Sequence, residues 1–426
     1  MRRMNEMSYF TGVKVRIYPS NEQKRMIAKN DSAARFIYNR LVSRNKELYQ
    51  LSKVNLYCRP VADRIDYLNS LGSNPSDLKA LYPFLEDKDM DAQMIANAKQ
   101  NYMTAWDNFK KNKSSGVPVF HKKSYGKSYQ TNAHYSKNAK CISDGNVHLL
   151  DKEHIQLPKL GSVKFKGSDV FVRLFNRKCE TRIGTITVSM DNCGDYFASF
   201  QVASVSPFHK TLPVVGKGTG IDVNIKNLYT DSDGNEVKNQ KYYSWEQKKL
   251  AKMQRKLARR KERAKKDNRS IYKSRNYQKQ RVKVAALLRK ISNRRNNYLN
   301  VVSKRLVESQ DYIFAENIKS GNLMKNHKLA RSIADAAWSI LLRMVEYKSE
   351  FYGRLFKKVP VKNTTQMCHA CGYINTGKNK LSLAIRSWTC LNCGTFHNRD
   401  HNSAINIKTW EYRCISRFKI LWLNAL

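Results

Sequence analysis

The sequence predicts an α+β chain of several domains, and three observations carry that reading. Between Pro118 and Val205 the chain reads as short strands separated by turn signals. Helical patterns occupy residues 20 to 115 and again 248 to 306. Near the C-terminus, two C-x-x-C pairs mark a small metal-stabilised module. A chain of 426 residues has length for about two to four domains with real cores.

Charge narrows the function before any motif does. The chain carries 79 Lys and Arg against 34 Asp and Glu, a formal net charge of +45. A field of that sign calls for a polyanion, and nucleic acid is the first candidate. No apolar run reaches the roughly 18 residues needed to span a bilayer. Met1 to Glu6 has charge but no apolar signal core, so a cytoplasmic setting is expected and no membrane partner. Cys58, Cys141, Cys179, Cys193 and Cys414 are scattered and odd in number, which suits a reducing compartment. With 41% hydrophobic and 27% charged residues, the chain is a folded protein and not a disordered polycation.

In chain order, Gly12 to Pro19 alternates apolar and basic residues as a strand does, and Pro19 ends it. Ser20 with Gln23 forms a capping-box pattern, and Ile27, Ala34, Ile37, Tyr38 and Leu41 continue at helical spacing. Residues 54 to 115 read as mostly helical. Their amphipathic stripe Tyr102, Met103, Trp106 and Phe109 is expected to be core. Lys110 to Gly116 is a boundary loop. The strands that follow include Val147–Leu150, Ile155–Pro158, Ser162–Phe165 and Thr185–Val188, and they suggest a small β-barrel. Its interleaved Lys, Arg, Tyr and Phe suit a nucleic-acid backbone with stacked bases, or a solvated basic face.

After the turn Gly216–Gly220, a strand begins Ile221-Asp222-Val223-Asn224, and Asp231–Gly234 reads as a hairpin turn. Residues 248 to 295 form a long basic helical stretch. Arg255, Arg259, Arg260, Lys261, Arg263, Arg281 and Arg289 are among its cations. Nearly all its charges share one sign and repel, so a bound phosphate backbone explains them better than solvent does. The stretch leads into the strand Tyr312–Glu316.

Cys368-His369-Ala370-Cys371 and Cys390-Leu391-Asn392-Cys393 are separated by eighteen residues, 372 to 389, within the window of a four-cysteine zinc ribbon. Each loop aims two thiolates at one centre, and two loops close a tetrahedral site. A complete cysteine set leaves no open position for water, so the expected zinc role is structural. Gly372 and Gly394 follow the second cysteine of each pair, where positive φ is expected.

Acidic residues are scarce, which makes those in apolar strands informative. Asp222 sits in one such strand, Glu316 ends another, and Asp400 precedes the helix-like Ala404–Ile407. Unpaired carboxylates are costly near a core. Three of them converging at the ends of sheet elements would chelate Mg²⁺, and a pair of such ions serves phosphodiester displacement. Structural ion pairs with the abundant Lys and Arg are the plainer alternative. The order strand-Asp, strand-Glu, helix-Asp points to an RNase H-like nuclease.

These residues carry a family resemblance. Gly220-Ile221-Asp222, Glu316-Asn317-Ile318-Lys319, Lys325 through Asp335, Trp338, both C-x-x-C pairs and Asn398 through Ile407 closely resemble TnpB, the RNA-guided nuclease of bacterial insertion sequences. The match is specific over about residues 215 to 408, with weaker echoes at Arg16–Pro19, Phe36–Asn39 and Leu157–Gly161. The resemblance implies a wedge-like N-terminal β-barrel (1–19 and 116–210) interrupted by a helical recognition insert (20–115). It further implies a RuvC, or RNase H-like, α/β domain (211–361 and 396–426) with a zinc-ribbon insert (362–395). Compact type V CRISPR effectors share this architecture.

Matched residue by residue, Asp222, Glu316 and Asp400 are the RuvC carboxylates, expected to hold two Mg²⁺. Cys368, Cys371, Cys390 and Cys393 are the zinc ligands, and Lys325 and Arg331 join the nucleic-acid candidates. The implied partners are a guide RNA from the element's own end and target double-stranded DNA, cut next to a short adjacent motif. Relatives that have lost the carboxylates act as guided regulators, and a transposase proper is a further alternative. All three carboxylates are present here, so cutting is expected. One departure stands out: Asn224 occupies a position where the family usually has glycine.

Overall fold

The computed structural model describes residues 2–54, 58–112, 114–167, 169–318, 320–323, 325–360, 363–382 and 384–415. The apolar stretch Phe418–Leu423 lies outside them. The chain divides into two compact units, Met1–Phe208 and His209–Leu426.

The first unit opens with β1 (Tyr9–Tyr18) and α1 (Asn21–Leu51). The capping box forms as the sequence predicts: Ser20 Oγ accepts from Gln23 N at 3.2 Å, and Gln23 Oε1 accepts from Ser20 N at 2.8 Å. Helices α2 (Arg59–Ser70), α3 (Pro75–Leu81) and α4 (Ala92–Lys111) fill the expected helical region. On α4, Met94, Ile95 and Ala98 are core, but Met103 and Phe109 remain 46% and 38% exposed. The aromatic stripe expected to be core is therefore not buried: Tyr102 and Trp106 are half-buried, and with Phe109 they line an open apolar groove together with Tyr49, Val119 and Phe120.

Strands β2 (Lys127–Asn132), β3 (His148–Leu149), β4 (His154–Leu157), β5 (Gly161–Lys166), β6 (Thr181–Met190) and β7 (Tyr196–Ser204) join β1, with helix α5 (Asp169–Phe175) between β5 and β6. All are antiparallel, in the order β2-β6-β7-β1-β5-β4-β3. This corrects the expected barrel: among the described residues nothing pairs β2 with β3, and the sheet stays open. Helices cover its β2 edge instead. Asp31 of α1 accepts from Ser128 N at 2.9 Å, satisfying an edge donor that closure would otherwise have used.

The second unit contains β8 (Gly218–Val223), β9 (Asn227–Asp231), β10 (Glu236–Lys238), α6 (Tyr242–Lys266), α7 (Arg275–Ser309) and β11 (Tyr312–Glu316). Then come α8 (Ser320–Leu323), α9 (His327–Ala336), α10 (Trp338–Tyr352), β12 (Leu355–Val359), β13 (Ser387–Thr389), β14 (Phe396–Asn398) and α11 (Arg399–Ile415). The main sheet runs β10-β9-β8-β11-β12. Strands β8, β11 and β12 are parallel, while β9 and β10 are antiparallel additions. One face packs on α7 and α10 through Ile221, Val223, Ile313, Ala315, Leu306 and Leu341. The other receives α11, with Phe314, Val359 and Ile407 in contact. Gly220 permits that approach, because a Cβ there would overlap main-chain atoms of Ala404 and Lys408. The long basic stretch is two helices, α6 and α7, pinned by Leu250, Val284, Leu287 and Ile291. Strands β13 and β14 pair with each other as a separate ribbon.

Candidate functional site

Strand alternation places the acidic residues. Along β8 and β11, Ile221, Val223, Ile313 and Ala315 face α7 and α10. Their neighbours Asp222 and Glu316 therefore share the opposite face, the one α11 covers. Ala315 pairs with Ile221, so Glu316 comes beside Asp222 one residue further on. Asp400 lies in the first turn of α11, whose start Asn398 caps: its Oδ1 accepts from Asp400 N at 3.0 Å and from His401 N at 3.2 Å. Two strand ends and one helix start thus bring the three sequence-predicted carboxylates together.

Their electrostatics are unfavourable as they stand. Asp222 and Glu316 are 6% and 5% exposed. Burial pushes the Asp222 carboxyl well above the usual carboxylate range, and the charges of Glu316 and Asp400 push it further. Arg399 opposes this only in part, as does Ser403, whose hydroxyl makes no hydrogen bond of normal geometry. Burial also raises Glu316, offset by a hydrogen bond from Thr364. Asp400 meets Arg386 at 3.5 Å, but the Arg386 side chain is 61% exposed, and such pairs contribute little. The ion-pair alternative therefore accounts for neither buried carboxylate. A cluster of oxygen-only acceptors with unbalanced negative charge has the donor set of a hard divalent cation.

The four cysteines form a tighter group. Cys368, Cys371, Cys390 and Cys393 have sulfur atoms within 4.8 Å of one another. Cys368 and Cys393 are 3.7 Å apart and Cys371 and Cys390 3.6 Å. A tetrahedron with zinc–sulfur bonds of about 2.3 Å has edges of roughly 3.8 Å, so the set fits one zinc ion. Gly372 and Gly394 adopt φ of 78° and 72°, as their positions demand. Trp388, Tyr373 and Leu381 pack around the cluster. The carboxylates are not gathered that closely; among the described residues the cysteines are the group that meets this spacing.

The histidines near these sites have definite places. His397 is buried in the ribbon, with Nε2 3.1 Å from Cys368 Sγ, and His401 Nε2 lies 3.2 Å from the Ser232 carbonyl oxygen. His369 is held by Asn402 Oδ1, which accepts from its main-chain N at 3.0 Å and from its Nδ1 at 3.1 Å. Asn224 keeps an ordinary φ and closes the β8–β9 turn, its Oδ1 accepting from Asn227 N at 2.7 Å. Glycine is not needed there.

Of the basic candidates, Arg255, Arg259, Lys261, Arg263, Lys325 and Arg331 are exposed. Arg260, Arg281 and Arg289 are half-buried. Arg260 donates to the Asn276 carbonyl at 2.7 Å and so braces the hairpin as well, while Arg281 donates to Gln278 Oε1 within α7 at 2.9 Å. The sequence reading missed Thr364, Asn402 and Asn406. These polar residues sit between the ribbon and the carboxylates; Thr364 belongs to no motif, and Asn402 and Asn406 were read only as part of the stretch Asn398–Ile407 and given no role.

The chain is similar to known proteins over most of its length. Residues 338–407 match a model described as "Cas12f1-like, TNB domain", and residues 202–327 one described as "Probable transposase" (OrfB of IS605). Residues 7–53 match a helix-turn-helix model, although that span folds here as β1 followed by one unbroken helix. A solved Cas12f1–sgRNA–target DNA complex has the same fold, with a TM-score of 0.57 at 14% identity over 94% of this chain and 98% of that one. The mini-RNA-guided endonuclease CRISPR-Cas phi3 gives 0.50 at 10% identity, over 95% and 92%. The fold is thus the α+β fold of compact Cas12 effectors.

Sequence relatives identify the family. A Streptomyces pristinaespiralis protein named "Putative RNA-guided DNA endonuclease" is 30% identical over 396 residues, covering 92% of this chain and 87% of the relative. Escherichia coli K12 InsQ, named in the same words, is 27% identical over 94% of this chain and 92% of its own length. The chain belongs to the TnpB family of insertion-sequence proteins.

Proposed function

We propose that this protein is an RNA-guided, Mg²⁺-dependent DNA endonuclease of a mobile element, cutting target DNA beside a short adjacent motif. One observation carries the reading: three carboxylates converge at one sheet end, where their mutual charge raises the buried Asp222 and the nearby Arg399 and Arg386 offset it only in part, in a chain of net charge +45. Asp222, Glu316 and Asp400 would hold the Mg²⁺, two ions being expected. Held there, divalent ions would supply stabilisation of the charge on the attacking and leaving oxygens of a phosphodiester displacement. Asp222 and Glu316 are both buried on the sheet face that α11 covers. Asp400 enters from the helix side, and Glu316 closes the adjacent strand.

The four-part layout read from the sequence belongs to this proposal: wedge (1–19, 116–210), recognition insert (20–115), RuvC-like domain (211–361, 396–426) and ribbon (362–395). Zinc in the ribbon is structural. A guide RNA from the element's end supplies sequence by base pairing, while the protein engages duplex shape and backbone charge. Arg255, Arg259, Lys261, Arg263, Lys325 and Arg331 are the backbone contacts best supported by their exposure. The cytoplasm of a prokaryotic cell is the expected setting; among the described residues no helix is long and apolar enough to cross a membrane. A nuclease-inactive guided regulator would lack a carboxylate, and none is missing. The transposase reading rests on the wording "Probable transposase", whereas relatives matched over most of their length carry the endonuclease name.

The test is cleavage of plasmid matched to the copurified RNA, in Mg²⁺ and in EDTA. Cutting only in Mg²⁺, abolished by Asp222→Ala with RNA binding intact, is expected. Normal cutting by Asp222→Ala would overturn the site.

A further inference from the structure

The buried partner of Glu316 is a neutral hydroxyl, and that choice has chemical content. Thr364 is 2% exposed, and its hydroxyl donates to Glu316 Oε1. A hydroxyl has one proton, so this bond fixes the orientation of one carboxylate oxygen. An Arg or Lys partner would orient it too, but would also neutralise the charge that a cation needs. Thr364 leaves that charge, and the second oxygen, free for a metal.

Thr364 is itself held in place. Its carbonyl oxygen accepts from Asn406 Nδ2 at 2.9 Å. The same nitrogen donates to the Met367 carbonyl at 2.7 Å, and Asn402 Nδ2 donates to that carbonyl at 2.8 Å. Asn402 and Asn406 are each 1% exposed and stand four residues apart, on one face of α11. Met367 immediately precedes the zinc ligand Cys368, and Asp400 lies two residues before Asn402. The loop 363–367 is thus clamped between the strand bearing Glu316 and the helix bearing Asp400. Buried polar networks of this kind are rigid only when every member is satisfied.

We propose that Thr364 is a positioning residue for Glu316, and that Asn402 and Asn406 hold it there from the helix that carries Asp400. The loop leading into the ribbon thereby sets the geometry of the carboxylate site. This rests on Glu316 being a metal-holding carboxylate.

The test compares Thr364→Val, Thr364→Ala, Thr364→Ser and Glu316→Gln in the complex with copurified RNA. Three quantities are read: zinc content, the Mg²⁺ dependence of cleavage, and the rise in melting temperature on adding Mn²⁺ without substrate. Thr364→Val should keep its zinc and need about 10–100 times more Mg²⁺ for half-maximal cutting. Its Mn²⁺ stabilisation should move to higher concentration in step, and Thr364→Ser should restore both. Wild-type metal requirements in a zinc-loaded Thr364→Val protein would overturn the proposal. If Thr364→Val loses zinc, the Ala and Ser variants decide: a raised requirement in Ala alone supports it, and equal requirements overturn it. Cleavage at the normal rate by Glu316→Gln would instead remove the assignment of Glu316 itself.

Discussion

Asp335 caps a helix to which it does not belong: its Oδ1 accepts from the main-chain N of Tyr243 at 3.0 Å. Its Oδ2 accepts from Ser244 N at 3.3 Å. Helix α6 begins after Lys241, which sits at φ 48° and offers no side-chain cap, so a residue of α9 satisfies its first free N–H groups. The basic hairpin is therefore fastened to the segment that follows Glu316. Asp335→Ala should cost about 1–2 kcal/mol of stability. Hydrogen exchange at Tyr243 and Ser244 should quicken, and Asp335→Asn should fall between. Unchanged protection at these amides in the Ala variant would show that the cap is idle.

Gly220 sets how closely α11 lies on β8. Adding a Cβ forces main-chain atoms of Ala404 and Lys408 to move, and neither is the far end of a flexible side chain. Gly220→Ala should destabilise the second unit by about 1–3 kcal/mol. It should also shift Asp400 away from Asp222 and cut DNA at least about tenfold more slowly, since a small misplacement is costly in catalysis. A variant that melts lower yet cuts at the wild-type rate would contradict the coupling.

Lys348 gives a pH dependence. It is 6% exposed and donates to the Asn300 carbonyl at 2.6 Å and to Ser303 Oγ at 2.8 Å, neither of them a carboxylate. Burial pulls its pKa from 10.5 down to about 8, Lys304 adds to this, and Glu308 opposes it. The folded protein then holds this proton less tightly than the unfolded chain. The penalty is complete below about pH 8 and lifts as pH rises toward 10.5, so stability attributable to this site increases over that window. The gain should be on the order of 2 kcal/mol. Melting curves of the wild type and Lys348→Met at pH 7.5 and 9.5 check it. The difference between the two proteins should move in favour of the wild type at the higher pH, and a pH-independent difference would refute the assignment.

Cys368→Ser removes one of four sulfurs from a set that fits zinc. Zinc content should fall and the ribbon should melt first, with a loss on the order of several kcal/mol. Since β14 runs directly into α11, cutting should decline with the zinc. Full zinc content in the variant would mean that His397, 3.1 Å from Cys368 Sγ, can take its place.

The parts of this fold legible in the sequence are those set by local pattern or covalent spacing. Ser20 and Gln23 announced the start of α1, and the cysteine spacing announced a site whose sulfurs do converge. Asp222 and Glu316 were visible because apolar strands surround them, and α11 carries Asp400 in its first turn. What stayed hidden depends on pairing distant in sequence. In place of the small barrel there is an open sheet whose end strands, β2 and β3, do not pair among the described residues, and α1 covers the β2 edge. Strand alternation reports faces, not closure. Thr364 gave no signal, and Asp335 figured only as the end of the Lys325–Asp335 stretch with no role: a lone hydroxyl or carboxylate acquires its role only from the partner that the fold brings to it.

The most direct measurement is to express the protein with the DNA flanking its own gene and sequence the copurifying RNA. The complex is then given plasmid matched to that RNA, with a randomised flank, in Mg²⁺. The account predicts one discrete RNA and cuts beside a single enriched flank, lost in Asp222→Ala. Tight binding to the matched plasmid without any cut, or cutting that ignores the RNA's sequence, would contradict it.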